Sequence, residues 1–586
     1  MARKAAVVIG VGNTGDLTPL ESAVSGAEDV AKWLQHEGYE VECLTDKSNP
    51  VRSGHVEDAI AKFVTLPPRY SLLVVYFSGH GYWHALADLW LLSGAPTRAS
   101  DAINLSGAVD LARRSGIPNV VFISDACRLM PNSLAFAFVK GVDGFPNYAE
   151  IPPTQKSKVD VIKAASEALA AYEGPIEGKK QSVLTYALMS AYKQPTLPMV
   201  KKVKDGSIEV LVVPNRKLEG YLQDKVNDVL MGIDSMLTQT IEVNILSGDD
   251  VYIARAQGPA HPAARKEPVR ASRAESVGRN AADAISLVLA GDSPDAEVLM
   301  TVTNPATKAQ LEARLPGRIV RPGGTIDHLE SKVGLVLHGA RVVKAVTTKG
   351  NSDAFVELLE NGDGGDTSAL LRLWDVQPAV SVAIELEDGR CIVLAGLEGY
   401  IGHASFDEEG LSNVSYVPSS NHWRWPMYEK RKAEIDRLRA LIALAVKNNT
   451  FQIRTDKEAE ALTRTIRMEK SIDPTLGLYA AHAFSQAGND DSVLSIMSYM
   501  RGDLRADLFD VRALASRHVH ETSGDYPLAP FCPMLTQTWN VLRPRGIVLP
   551  PALEEVVPYL CNSLWTTFQP GVTQHIMHAI EIGELK

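Results

Sequence analysis

Cysteine is scarce in this chain: there are five in 586 residues, at positions 43, 127, 391, 532 and 561, and none forms a C-x-x-C pair. That scatter excludes a disulfide framework, makes a structural zinc site a poor reading, and points to a reducing, cytosolic setting. Long apolar runs are also missing, since no stretch approaches the 18 or more residues of a membrane span. Met1-Ala2-Arg3-Lys4 followed by Ala5 to Gly10 imitates a secretory leader, but the run is short and lacks an Ala-x-Ala cleavage pattern. An excess of positive charge is absent too: 59 Lys+Arg against 70 Asp+Glu give a net charge of -11, which argues against broad nucleic-acid binding. No repeat of fixed length marks a named solenoid. What is present is an ordinary globular composition, 45% apolar and 22% charged, and enough chain for about three to five domains.

Residues 1 to about 125 alternate apolar runs with amphipathic stretches, which predicts an α/β domain with a mainly parallel sheet. Strands are expected at Ala5 to Ile9, Glu40 to Leu44, Ser71 to Phe77 and Asn119 to Ser124, with helices at Ser25 to His36, Val56 to Val64 and Ser106 to Ser115. The run from Leu72 to Phe77 is apolar throughout, as in a central strand buried on both faces. Residues 140–158 read as a surface loop. Ser182 to Tyr192 and Leu218 to Met231 then read as helices, and Thr240 to Ile245 as a strand. The division this suggests is a domain over 1–255, split into halves 1–139 and 159–255, then a linker over 256–294. A β-rich domain over 295–420 and an α-helical domain over 421–586 complete it.

Three motifs compete for chemistry. Gly10-Val11-Gly12-Asn13-Thr14-Gly15 has the G-x-G-x-x-G spacing of a dinucleotide site, but no helix opens on the glycines to present its amides, so a turn after strand one is the better reading. The second motif is Ser78-Gly79-His80-Gly81, where a buried strand ends in a histidine between two glycines; this suits a proton-transfer group approached closely by substrate. His84 follows, but no third ligand makes a metal site. In the third motif, Ser124-Asp125-Ala126-Cys127-Arg128, a buried strand runs into a loop carrying a thiol. A lone cysteine is usually packing. His80 and Cys127, however, end consecutive strands 47 residues apart, so a parallel sheet brings both to one edge, as a Cys-His dyad requires.

Together, Ser78-Gly79-His80-Gly81 and Asp125-Ala126-Cys127-Arg128 resemble the catalytic halves of the caspase, metacaspase and paracaspase clan of cysteine peptidases. Gly26-Ala27-Glu28-Asp29, Ser182 to Leu188 and Val213-Pro214-Asn215-Arg216 extend the resemblance to bacterial members over roughly residues 4–255. It implies Cys127 as nucleophile, His80 as general base and acid, and the backbone amides of Gly81 and Cys127 as oxyanion donors. Asp125 stands where caspases carry Gln. This is similar to metacaspases and paracaspases, whose acidic pocket accepts Arg or Lys, with Asp29 as a second charge. The plain reading of both acids is capping.

Cleavage of protein substrates after Arg, and as a second choice Lys, is therefore expected, in a regulated signalling protease of bacterial stress, cell death or defence. Lys156, Lys158, Arg265, Arg270 and Arg273 lie in sequence suited to nicking and are candidate processing sites. No cofactor or metal is expected; Asp249-Asp250 and Asp363 to Asp366 do not match an EF-hand, which leaves calcium activation open. An activating protease or a regulatory protein acting through the C-terminal half is the expected partner, with no membrane and no nucleic acid. The alternative is a catalytically idle caspase-fold scaffold.

Overall fold

The computed structural model describes residues 3–64, 69–131, 133–147, 157–166, 170–205, 208–233, 237, 239–257, 333–348, 354–361, 368–407, 410–432, 435, 472–486, 488–516 and 526–585. They fall in two compact units, Met1–Glu267 and Pro268–Lys586.

The first unit begins β1 (Lys4–Gly10), α1 (Glu21–His36), β2 (Tyr39–Thr45), α2 (Ser53–Phe63), β3 (Leu72–Gly79), β4 (Gly81–His84), β5 (Ala87–Leu91), β6 (Ala102–Asn104), α3 (Leu105–Ala112) and β7 (Asn119–Ala126). It continues with α4 (Leu134–Ala137), β8 (Lys158–Lys163), β9 (Glu173–Ile176), β10 (Lys179–Ser182), α5 (Val183–Lys193), β11 (Lys201–Asp205), β12 (Ile208–Val212), α6 (Leu218–Ile233) and β13 (Glu242–Asn244). The main sheet runs β13-β8-β7-β3-β1-β2 and is parallel except for β13. Alternation across the strands sorts their side chains onto two faces. Ala6, Val8, Val74, Tyr76, Val121 and Ile123 pack with α1, α5 and α6. Ala5, Val7, Ile9, Val75, Phe77 and Phe122 pack with α2 and α3. Burial on both faces is why these strands are apolar throughout.

Chain order reverses between β1 and β3: β2 lies outside β1, and the chain then crosses back to β3, β7 and β8. The crevice beyond the carboxyl ends of β1, β3 and β7 is therefore the switch point where an open α/β sheet places its ligands. Two expectations change. Helix α1 starts at Glu21 rather than Ser25, because the loop before it closes when the Leu20 amide donates to Gly12 O at 2.8 Å. The expected loop over 140–158 is no surface excursion in its first part: Val142 and Phe145 are buried against the α2/α3 core. Its last residue, Lys158, opens β8 and donates its amide to Pro118 O at 2.9 Å.

The second unit contains β14 (Gly334–His338), β15 (Val342–Thr347), β16 (Phe355–Asn361), β17 (Ser368–Trp374), β18 (Ala379–Leu386), β19 (Cys391–Leu397), β20 (Tyr400–Asp407) and β21 (Gly410–Pro418). Helices α7 (Pro474–Gln486), α8 (Asp490–Leu504) and α9 (Phe509–Ala515) follow. Sheets β16-β17-β14-β20-β21 and β15-β18-β19, the latter edged by Thr567–Phe568, share one core with these helices. Leu335, Leu371, Ile384 and Leu394 from the strands and Leu476, Phe484, Val493 and Leu514 from the helices all belong to it. Helix α7 is buried nearly all round, as its sequence Leu-Gly-Leu-Tyr-Ala-Ala requires. The β-rich and helical parts, expected as separate domains on either side of residue 420, are thus one body, since neither could bury its apolar face without the other. Within the helical domain expected over 421–586, residues 433–434 and 436–471 lie outside the described residues. No helix among the described residues is long and apolar enough to cross a membrane.

Candidate active site

Register assembles the site. Strands β3 and β7 pair in parallel up to Ser78↔Asp125 and Gly79↔Ala126, so the next residues along, His80 and Cys127, leave the sheet side by side. The glycines around His80 are required by the chain itself. A Cβ on Gly79 would lie 2.9 Å from Val11 O, and one on Gly81 would lie 2.5 Å from Cys127 O. Backbone passes too close for any side chain at both positions, and this holds His80 between the loop after β1 and the loop after β7. Sequence reasoning attributed the glycines to the approach of a substrate; the structure assigns that approach to neighbouring loops.

His80 is partly buried, and its Nε2 lies 2.7 Å from the carbonyl oxygen of Thr18. A carbonyl only accepts, so Nε2 carries the proton, and in the neutral ring Nδ1 is left as the basic nitrogen. Burial pulls His80 below its ordinary range, against the opposing effects of the Thr18 carbonyl and Glu173. The Cys127 thiol is also partly buried. Its sulfur accepts from Ala171 N at 3.3 Å and lies 3.5 Å from Ala171 O. Burial pushes this thiol above its usual range; the Ala171 contact opposes that, and Asp125 and Glu173 add to it. Near neutral pH the pair is therefore a thiol and a neutral imidazole. Their hydrogen bonds go to Ala171 and Thr18 rather than to each other.

Arg128 fixes the loop behind Cys127. Its guanidinium is buried, pairs with Asp88 of β5, and reaches Glu242 of β13 at 2.6 Å; Lys163 of β8 bridges both acids at 2.9 and 2.8 Å. Two cations and two anions neutralise one another there, and removing one would strand a buried charge.

Asp125 sits on the α1/α5 face of β7 and is 5% exposed. Ser182 donates to its Oδ1 at 2.6 Å, Thr185 donates to Oδ2, and Tyr76 approaches Oδ2 at 3.2 Å. Ser182 is also the N-cap of α5, so the positive end of that helix faces the carboxylate. Burial still raises the Asp125 pKa against these hydroxyls. Three hydroxyls and a helix end thus offset part of the desolvation of Asp125.

Asp29 is not among the partners of Asp125. It pairs with Lys179 at the surface, two turns of α1, about 10 Å, beyond Ser22. Glu173 is the acid that sequence reasoning missed. It opens β9, receives the Ser22 hydroxyl, pairs with Lys180 at 2.7 Å, and influences Cys127, His80 and Asp125 alike. Its setting in Tyr172-Glu173-Gly174-Pro175 reads as a turn, and its partner Ser22 is 151 residues away, so no local pattern marks it. Asn215, from the Val213-Pro214-Asn215-Arg216 segment, is buried and donates to Asp160 at 2.8 Å. Of the expected processing residues, Lys158 is held in β8, while Lys156, Arg265, Arg270 and Arg273 lie outside the described residues.

Residues 3–211 match the family model described as the caspase domain. Among solved structures, a protein of Geobacter sulfurreducens is similar at 15% identity and a TM-score of 0.29, over 42% of this chain and 95% of that one. Caspase-1 of Spodoptera frugiperda is similar at 10% identity and a TM-score of 0.30, over 44% of this chain and 92% of that one. No curated protein matches the chain. The family match spans the strands that deliver His80 and Cys127, and over residues 3–211 the first unit is similar to the caspase domain of a family of cysteine peptidases.

Proposed function

We propose that the chain is a cysteine endopeptidase that cleaves protein substrates after Arg, and less readily after Lys, with Cys127 and His80 as its dyad. The observation that carries this is the parallel register that sets the two residues side by side at the switch-point edge of the sheet, each steadied through its backbone neighbours. Nδ1 of His80 takes the thiol proton as sulfur attacks the scissile carbonyl carbon, and the Gly81 and Cys127 amides receive the oxyanion. Collapse of the adduct breaks the C–N bond, and the imidazolium gives its proton to the departing amine. Water, deprotonated by the same imidazole, then releases the acyl group and restores the thiol.

Asp125 and Glu173 support the basic preference. About three of the four acceptor positions of Asp125 are taken by hydroxyls, so it offers charge and about one further hydrogen bond. Glu173 supplies the second carboxylate for a guanidinium, provided Lys180 gives way. Asp29, further along α1, adds long-range charge. The resemblance to bacterial members supports an intracellular signalling role in stress, cell death or defence, with activation by proteolysis or by a protein acting on the second unit.

One observation favours the idle-scaffold reading: Glu173 and Asp29, the acids that would draw a basic side chain beside Asp125, already have lysine partners, Lys180 and Lys179 on β10. A panel of fluorogenic peptides ending in Arg, Lys, Ala or Asp separates the two readings. Turnover is expected with Arg above Lys and little with Asp, abolished in Cys127→Ala. In Glu173→Gln the preference for Arg over Ala should fall about 10- to 100-fold, the worth of a charge-assisted hydrogen bond. Turnover of Asp-ended peptides alone would overturn the basic specificity, and turnover that survives Cys127→Ala would overturn the dyad.

A further inference from the structure

The glycine motif after β1 found no use as a nucleotide site, and its geometry shows what its amides do. Asp46 follows the last paired residue of β2, where Gly10↔Thr45 ends the register, and so stands at the mouth of the loop after β1. Its carboxylate accepts Gly12 N at 2.9 Å on Oδ1 and Asn13 N at 2.7 Å on Oδ2. Two successive amides turned toward one anion form the nest that a G-x-G-x-x-G loop offers to phosphate. Here the chain fills it with its own carboxylate.

From that clamp the loop runs to α1 along a fixed path. Gly12 O accepts Leu20 N at 2.8 Å, Thr14 O accepts Leu17 N at 3.0 Å, and Gly15, at φ +52, is seated where a Cβ would lie 2.9 Å from Ala95 O. At the far side of the same loop is Thr18, whose carbonyl holds the Nε2 proton of His80. We propose that Asp46 is a positioning residue for the dyad: by clamping residues 12 and 13 it places the Thr18 carbonyl, which fixes the tautomer and ring orientation of His80 and so points Nδ1 at the thiol. This rests on the peptidase reading for its kinetic consequence, but not for its structural one.

The test follows Asp46→Ala and Asp46→Asn in the full chain, by steady-state kinetics on an Arg peptide and by the NMR signature of His80 in protein carrying 15N-histidine, assigned against His80→Ala. In wild type His80 should appear as the Nε2–H tautomer. Asp46→Ala should lose that signature and lower kcat roughly 10- to 100-fold, with KM within about twofold and thermal stability little changed. Asp46→Asn, which keeps one acceptor, should fall between, and it decides the matter if the alanine variant does not fold. A folded Asp46→Ala protein with the wild-type tautomer overturns the proposal whether or not kcat falls, because the loss would then be general to the scaffold. If the wild type hydrolyses no peptide, the peptidase reading fails, while the tautomer comparison still decides what Asp46 does.

Discussion

At the scale of single residues, the protonation states of Cys127 and His80 decide how the chemistry would run. Burial moves the two in opposite directions, the thiol up and the imidazole down, so the resting pair is neutral and the base acts within the reaction rather than before it. His80 must be unprotonated to accept the thiol proton, and its folded value lies below the ordinary 6.5, so the acid limb of kcat/KM should fall below pH 6.5. Alkylation of Cys127 by iodoacetamide should keep accelerating as pH rises past 9, because burial holds the thiol above its ordinary range and the thiolate fraction is still growing there. A rate already at its plateau at pH 6 would mean a preformed thiolate–imidazolium pair and would contradict this account.

The elements around these residues differ in how visibly the sequence announces them. Strands β1, β3 and β7 are apolar runs because helices cover both faces, and such runs can be read without a structure. The placement of His80 and Cys127 was legible for the same reason, since both follow directly on the ends of those strands. The hairpin β9–β10 was not: Glu173-Gly174-Pro175-Ile176 carries a glycine and a proline, and its pairing with Lys179 to Ser182 comes from a two-residue turn at Glu177 and Gly178, both at positive φ. Glu173 was hidden with it. The small sheet of β4, β5 and β6 was missed as well, although it seats Gly81 against Cys127 O. Gly81→Ala forces a Cβ within 2.5 Å of that backbone oxygen and should destabilise the chain by about 1 to 3 kcal/mol while lowering kcat. Gly220→Ala on α6, where a Cβ meets open space, should be neutral or mildly stabilising. Equal unfolding midpoints in denaturant for the two variants would refute the close-approach argument.

For the whole molecule, composition implied a second folded region, and strands β14 to β21 fall within the β-rich stretch expected over 295–420. Periodicity describes each segment alone, however, and cannot report that strands and helices bury their faces against each other. Trp565 tests this directly. It is fully buried, stacks edge-on against Tyr479 of α7 at 5.7 Å, and belongs to the core shared with β19. Trp565→Ala should cost about 3 to 5 kcal/mol, and amide hydrogen exchange should rise in α7 and β19 together. A rise confined to one of the two would show that they are separate bodies.

The central claim is that Cys127 is a nucleophile served by His80 in a cleft that takes basic side chains. The most direct measurement is intact-mass detection of the full chain after exposure to a thiol-reactive peptide electrophile ending in Arg, with the Asp-ended analogue in parallel. The account predicts one adduct on the wild type, mapped to Cys127, formed much more slowly on His80→Ala, absent from Cys127→Ala, and poorly formed by the Asp analogue. No adduct at Cys127, or equal labelling by both peptides, would contradict it.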